Sequence, residues 1–235
     1  MNKLIAVLAT LVGATSLNAQ EAAPAVSMSA NFGYETQYYF RGQQLANAIY
    51  TGGVDLSYTD FYAGLWTANP AKKAQTNELD LYAGYGLSIS DTVSADFGVT
   101  YYTYPDNDKD IFDNDEDSNT VEFYAGLAFD VLASPSIYVY YDKDLENWTA
   151  EGSIGYSAPL SEKSSLDFAL SAGGVDTDHS QDYFYGQVSV DYIYNLTDSS
   201  SISFGGRFTT ATEDLAKMGS DDSDFWAGAS FTCGF

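Results

Sequence analysis

The last twelve residues, DFWAGASFTCGF, alternate strictly: Phe225, Ala227, Ala229, Phe231, Cys233 and Phe235 are interleaved with Trp226, Gly228, Ser230, Thr232 and Gly234. A period of two sends successive side chains to opposite faces of an extended strand, and here one face is wholly apolar. The same period is clearest at residues 26–41, where Val26, Met28, Ala30, Phe32, Tyr34, Thr36, Tyr38 and Phe40 alternate with Ser27, Ser29, Asn31, Gly33, Glu35, Gln37, Tyr39 and Arg41. Further alternating stretches fall at 48–58, 61–68, 78–89, 93–104, 120–130, 136–142, 148–158, 165–175, 183–194 and 202–209. Together they predict an all-β chain of about twelve strands, an even number as bacterial membrane barrels require.

The connections fall into two sets. Residues 59–60, 90–92, 133–135, 159–164 and 195–199 are tight and polar, with turn chemistry. Between them lie the longer segments 41–47, 69–76, 105–118, 176–181 and 211–223, with 143–146 as the short member of that set. Short periplasmic turns and longer extracellular loops are the asymmetry of an outer-membrane β-barrel, and they place both termini on the periplasmic side. The final strand must then pair with the first, because lipid tolerates no open sheet edge. An echo recurs in four strands, FYAGLW from Phe61, LYAGYG from Leu81, FYAGLA from Phe123 and FWAGAS from Phe225, each with the same facing.

Charge sharpens the picture. The apolar parity of every strand lacks Asp, Glu, Lys and Arg, as a lipid face demands when a cation at mid-membrane costs about 2–4 kcal/mol. The other parity carries Glu35, Asp55, Glu78, Asp80, Asp96, Glu122, Asp142, Glu151, Asp167 and Asp191, with Arg41 and Arg207 as its basic members. These twelve positions are the expected lumen charges. A secreted β-sandwich would also alternate, but it explains neither the two sets of connections nor the tyrosines gathered at strand ends. The net charge of −24 argues against a nucleic-acid partner, since phosphate contacts need Lys and Arg.

Residues 1–19 read as a secretory signal: Lys3, an apolar run from Leu4 to Val12, then the small Ala19. That run is too short to span a membrane, and no later segment reaches the roughly 18 apolar residues a spanning helix needs. Residues 20–25 form a short lead and 26–235 the barrel. The single cysteine, Cys233, allows no internal disulfide, and no cysteine follows the leader to carry a lipid anchor.

Four stretches, NFGYETQYYFRGQQ (31–44), FYAGLWTAN (61–69), ELDLYAGYG (78–86) and YYTYP (101–105), resemble the TorF-type porin family, also known as the Gcw_chp family. Asn31, Phe40, Arg41, Gly42, Trp66 and Asn69 are the most specific matches, and the likeness is strongest in the first half. The resemblance implies an outer-membrane barrel with a porin designation and brings no catalytic residues.

Two local features carry candidate chemistry. The only histidine, His179, has Asp176, Asp178 and Ser180 nearby, but catalytic triads are assembled from separate segments, so a solvated loop histidine is the expectation. In PDNDKDIFDNDEDS, Asp106, Asp108, Asp110 and Asp117 fall at positions 1, 3, 5 and 12 of a calcium loop. Ile111 stands where the sharp-turn glycine belongs and Asp117 where a bidentate Glu belongs, so a solvated acidic loop is favoured over a metal site. No cofactor is expected beyond divalent cations held loosely at such loops. The sequence thus predicts a non-enzymatic, porin-like channel in the bacterial outer membrane, passing small solutes by diffusion and preferring cations. A filled structural or adhesive barrel is the alternative, and an outer-membrane hydrolase a weaker one. Expected partners are outer-membrane lipid, lipopolysaccharide and the barrel assembly machinery, the last through the C-terminal strand.

Overall fold

The computed structural model describes residues 26–72, 77–105, 119–178, 180–212 and 223–235. They form twelve strands: β1 (Ser27–Phe40), β2 (Gln43–Tyr58), β3 (Phe61–Pro70), β4 (Glu78–Ser90), β5 (Val93–Thr103), β6 (Thr120–Phe129), β7 (Ser136–Asp142), β8 (Asn147–Ser161), β9 (Ser164–Asp176), β10 (Tyr183–Thr197), β11 (Ser200–Ala211) and β12 (Ser223–Gly234). Every strand pairs antiparallel with its neighbours in sequence, and β12 returns to β1, so the sheet closes. Ser29 stands opposite Gly234 and Glu35 opposite Gly228. The Phe235 N–H donates to the Met28 carbonyl at 2.9 Å, extending the seam to the last residue. Closure leaves no unpaired edge, the condition for strands to stand in lipid.

The distribution of side chains is inverted relative to a water-soluble domain. Phe184, Phe225 and Phe61 are 68%, 64% and 61% exposed, whereas Asp80, Glu122 and Asp191 are each 3% exposed. Burying carboxylates while exposing phenylalanines is unfavourable in water and favourable when hydrocarbon surrounds the barrel. Aromatic pairs sit on the outer surface near both rims: Phe61 against Tyr85 beside the 59–60 turn, and Tyr141 against Trp148 beside residues 143–146. Such belts mark the levels where a bilayer meets water. The molecule is a transmembrane β-barrel.

Two expectations are corrected at the start of the chain. Residues 41–47 are not a loop. β2 begins at Gln43, and only Arg41 and Gly42 turn the chain, with φ of 49° and 81°. Paired positive φ values suit the tight turn that matches strand twist, and glycine takes its share without strain. The alternation of β1 also breaks, because Tyr38 faces Ala46 while Tyr39 faces Gln44, so β2 holds the unmatched Leu45. A bulge of this kind re-aims the residues beyond it. Tyr38, on the lipid parity by simple alternation, instead turns inward and hydrogen-bonds Glu78.

Candidate functional site: the barrel interior

Even-numbered residues of β3–β7 and β12, and odd-numbered residues of β1, β2 and β8–β11, point into the barrel along most of their length. That rule brings Glu35, Asp55, Glu78, Asp80, Asp96, Glu122, Asp142, Glu151, Asp167, Asp191 and Arg207 to one inner wall. Arg41 joins them from the β1–β2 turn. Asp224 lies inward too, accepting a hydrogen bond from Tyr39 at 3.0 Å. It escaped the sequence reading because it sits at the edge of the closing strand.

In the half nearer the short turns, acids are held by hydroxyls. Asp96 accepts from Tyr62 at 2.8 Å and from Tyr138 at 3.2 Å, and Tyr62 in turn meets the Tyr124 hydroxyl at 2.6 Å. Tyr82 and Ser29 both donate to Asp55. Asp167 accepts from Ser157 at 2.6 Å and Ser165 at 2.7 Å. The recurrent Tyr-Ala-Gly spacing accounts for much of this network. It puts tyrosine and glycine two residues apart on one face, so the neighbours β3 and β4 set Tyr62 opposite Gly84 and Tyr82 opposite Gly64, while Tyr124 faces Gly98 of β5, which lies outside the echo. Each ring then lies along the wall over the facing glycine, where a Cβ at Gly84 or Gly98 would overlap it. Aromatic cover of a cross-strand glycine stabilises the sheet and keeps these rings out of the middle of the bore.

The cations are already engaged. Arg207 sits between Asp191 at 2.8 Å and Glu35 at 3.6 Å, and the Trp226 indole donates to Glu35 at 2.6 Å. Arg41 makes two parallel bonds to Glu122, Nη1 to Oε2 at 2.6 Å and Nη2 to Oε1 at 2.9 Å. Its guanidinium also lies 4.6 Å from the Phe40 ring and 4.4 Å from that of Tyr140. A fork with its edge on a carboxylate and its faces on rings is strongly oriented, which leaves Arg41 poorly placed to clamp an anion. On the same half of the barrel Tyr102 donates to Glu122 at 3.1 Å and Tyr185 to Glu151 at 2.6 Å. Asp142 accepts from the backbone N–H groups of Asp144 and Leu145, at 3.0 and 2.8 Å, and so caps the turn beyond β7.

Among the described residues, no group of three or more His, Cys, Asp or Glu is arranged to hold a metal ion. Asp106, Asp108, Asp110, Asp117 and His179 lie outside the described residues.

A closed, lipid-facing barrel with a polar interior places the molecule among transmembrane β-barrels. The chain belongs to the Gcw_chp family, described as "bacterial protein of unknown function", whose model matches residues 19–144. No curated protein matches the sequence significantly. Among solved structures the chain is similar to the KdgM porin, with a TM-score of 0.61 and 10% identity over 88% of this chain and 99% of that one. It is also similar to the COG4313 outer membrane channel from Pseudomonas putida F1, with a TM-score of 0.55 and 12% identity over 94% and 100% of the two chains. The NanC porin follows at a TM-score of 0.54 and 12% identity over 88% and 98%. At such identities the likeness is one of fold.

Proposed function

We propose that the chain is a porin-like channel of the bacterial outer membrane, exported through residues 1–19, that passes small solutes by diffusion and prefers cations. The porin designation of the TorF-type resemblance is part of this reading. The observation that carries it is the composition of the inner wall. Ten acids of the sequence reading face two arginines, and those two are paired with Glu122, Asp191 and Glu35. Fixed negative charge in a bore with low-dielectric walls concentrates cations and repels anions. The fold likeness to porins and to an outer-membrane channel supports the transport side of the reading. KdgM is known in complex with disordered oligogalacturonate. A chain of carboxylated sugars is a poor match for the acidic wall found here, and small cations are a better one.

A filled barrel that anchors surface loops is the second reading, favoured by one observation: the tip of the β1–β2 hairpin lies inside the bore. Conductance separates the two. Refolded protein in a planar bilayer is expected to give discrete, ohmic current steps in potassium chloride. A membrane into which the protein has demonstrably inserted, and which stays silent over long recordings, would favour the filled barrel.

A further inference from the structure

A hairpin of an ordinary barrel continues the cylinder into solvent, and its turn is exposed. The β1–β2 turn does neither, because Gly42 at its apex is buried. In the ring of twelve strands β7 is diametrically opposite β1, with β6 next to it. Yet Arg41 reaches Glu122 on β6 and stacks on Tyr140 of β7. Phe40 packs edge-on against Tyr102 of β5 at 6.1 Å, and the Gln43 side chain donates to the Tyr183 hydroxyl of β10 at 2.9 Å. An arginine side chain is too short to cross a closed barrel of twelve strands, so the turn itself must lean inward. The register slip between Tyr38 and Tyr39 supplies the bend.

We propose that the inward-folded β1–β2 tip is the constriction of the channel, latched across the bore by the Arg41–Glu122 pair, and that Arg41 determines what passes. The proposal rests on the channel reading above. Residues 38–43 reach across the bore at the long-loop end, in the path of a solute entering from that side. The latch has a two-bonded ion pair at its centre, flanked by ring contacts that slide more readily than they break and by the single Gln43–Tyr183 hydrogen bond. Loss of either charge loosens the tip, leaving it the Gln43–Tyr183 and Tyr38–Glu78 hydrogen bonds, and keeps the twelve-strand seam intact, because no ladder bond of β1 or β2 depends on Glu122. Arg41 therefore acts in two ways: it fixes the size of the aperture, and it offsets one carboxylate there.

The test uses the full-length mature barrel, with Arg41→Gln, Arg41→Lys and Glu122→Gln compared with the unaltered protein. Single-channel conductance is read in planar bilayers, and correct folding is checked by heat-dependent gel mobility. A second readout is the thiol-labelling rate of Gln44→Cys in a Cys233→Ser background. The latch predicts a severalfold rise in conductance and faster labelling for all three variants. Arg41→Lys keeps the charge but not the two-pronged geometry, so its rise separates a latch from a fixed charge. Unchanged conductance and labelling, with ion preference shifting oppositely in Arg41→Gln and Glu122→Gln, would overturn the proposal and leave Arg41 a fixed charge only. Faster labelling without conductance in any protein, the unaltered one included, would uphold the latch and sink the channel reading instead.

Discussion

Arg207→Ala is expected to destabilise the folded barrel toward the low end of the roughly 3–5 kcal/mol typical of breaking a buried ion pair. Arg207 is 13% exposed and holds two carboxylates from different strands, Asp191 of β10 and Glu35 of β1. The three strands β10, β11 and β1 lie around β12, so the cluster braces the closing seam from inside. Removing the guanidinium leaves two acids in a poorly solvated stretch of wall with no cation between them, and their mutual repulsion opposes closure. The effect is read as a lower denaturant midpoint for refolded protein and a lower temperature for loss of its gel shift. Adding Glu35→Gln and Asp191→Asn to Arg207→Ala should recover most of the loss, since the cost lies in the stranded charges. If the triple variant is no more stable than Arg207→Ala, the cluster does not hold the seam electrostatically.

Val139→Arg should impair insertion by about 2–4 kcal/mol, the cost of a cation near mid-membrane on a lipid face. Val139 lies at the centre of β7, opposite Ala125 of β6 and Ala150 of β8, and its side chain is turned outward. Its neighbour Tyr138 points inward and donates to Asp96. Tyr138→Arg puts the same charge one residue away, where a carboxylate receives it, and should be far better tolerated. The comparison is made on the yield of gel-shifted barrel in membranes. Equal yields for the two variants would mean that the inner and outer faces of β7 have been interchanged.

The strands and the facing of their charges were legible because they follow from one periodicity. A carboxylate costs too much on hydrocarbon to appear there, so Glu122, Asp142 and Asp191 mark the interior wherever the chain is strictly extended. The same logic failed where the period broke. One unmatched residue, Leu45, shifts the partnership of Tyr38 and Tyr39, and alternation alone cannot register a bulge. Arg41 and Gly42 carried the available signal: a residue followed by glycine, two positions between alternating runs, is the length of a tight hairpin turn. Reading 41–47 as a loop hid the inward tip and with it the partner of Arg41. The pairing of Arg41 with Glu122 joins residues on opposite walls, which no local pattern encodes. The Tyr-Ala-Gly echo is an intermediate case. Its facing was readable, but that each tyrosine covers a glycine required the register, since only pairing sets Tyr62 against Gly84 and Tyr124 against Gly98.

Inner-wall carboxylates that have no cation partner set the ion preference of the bore, and the zero-current potential across a potassium chloride gradient reports that preference. With the bore open, potassium should cross ahead of chloride, making the dilute side positive. The potential should shrink as both solutions approach molar salt, where the Debye length falls to about 3 Å and the wall charges are screened. A dilute side that turns negative would show anion preference and rule out a bore governed by its carboxylates.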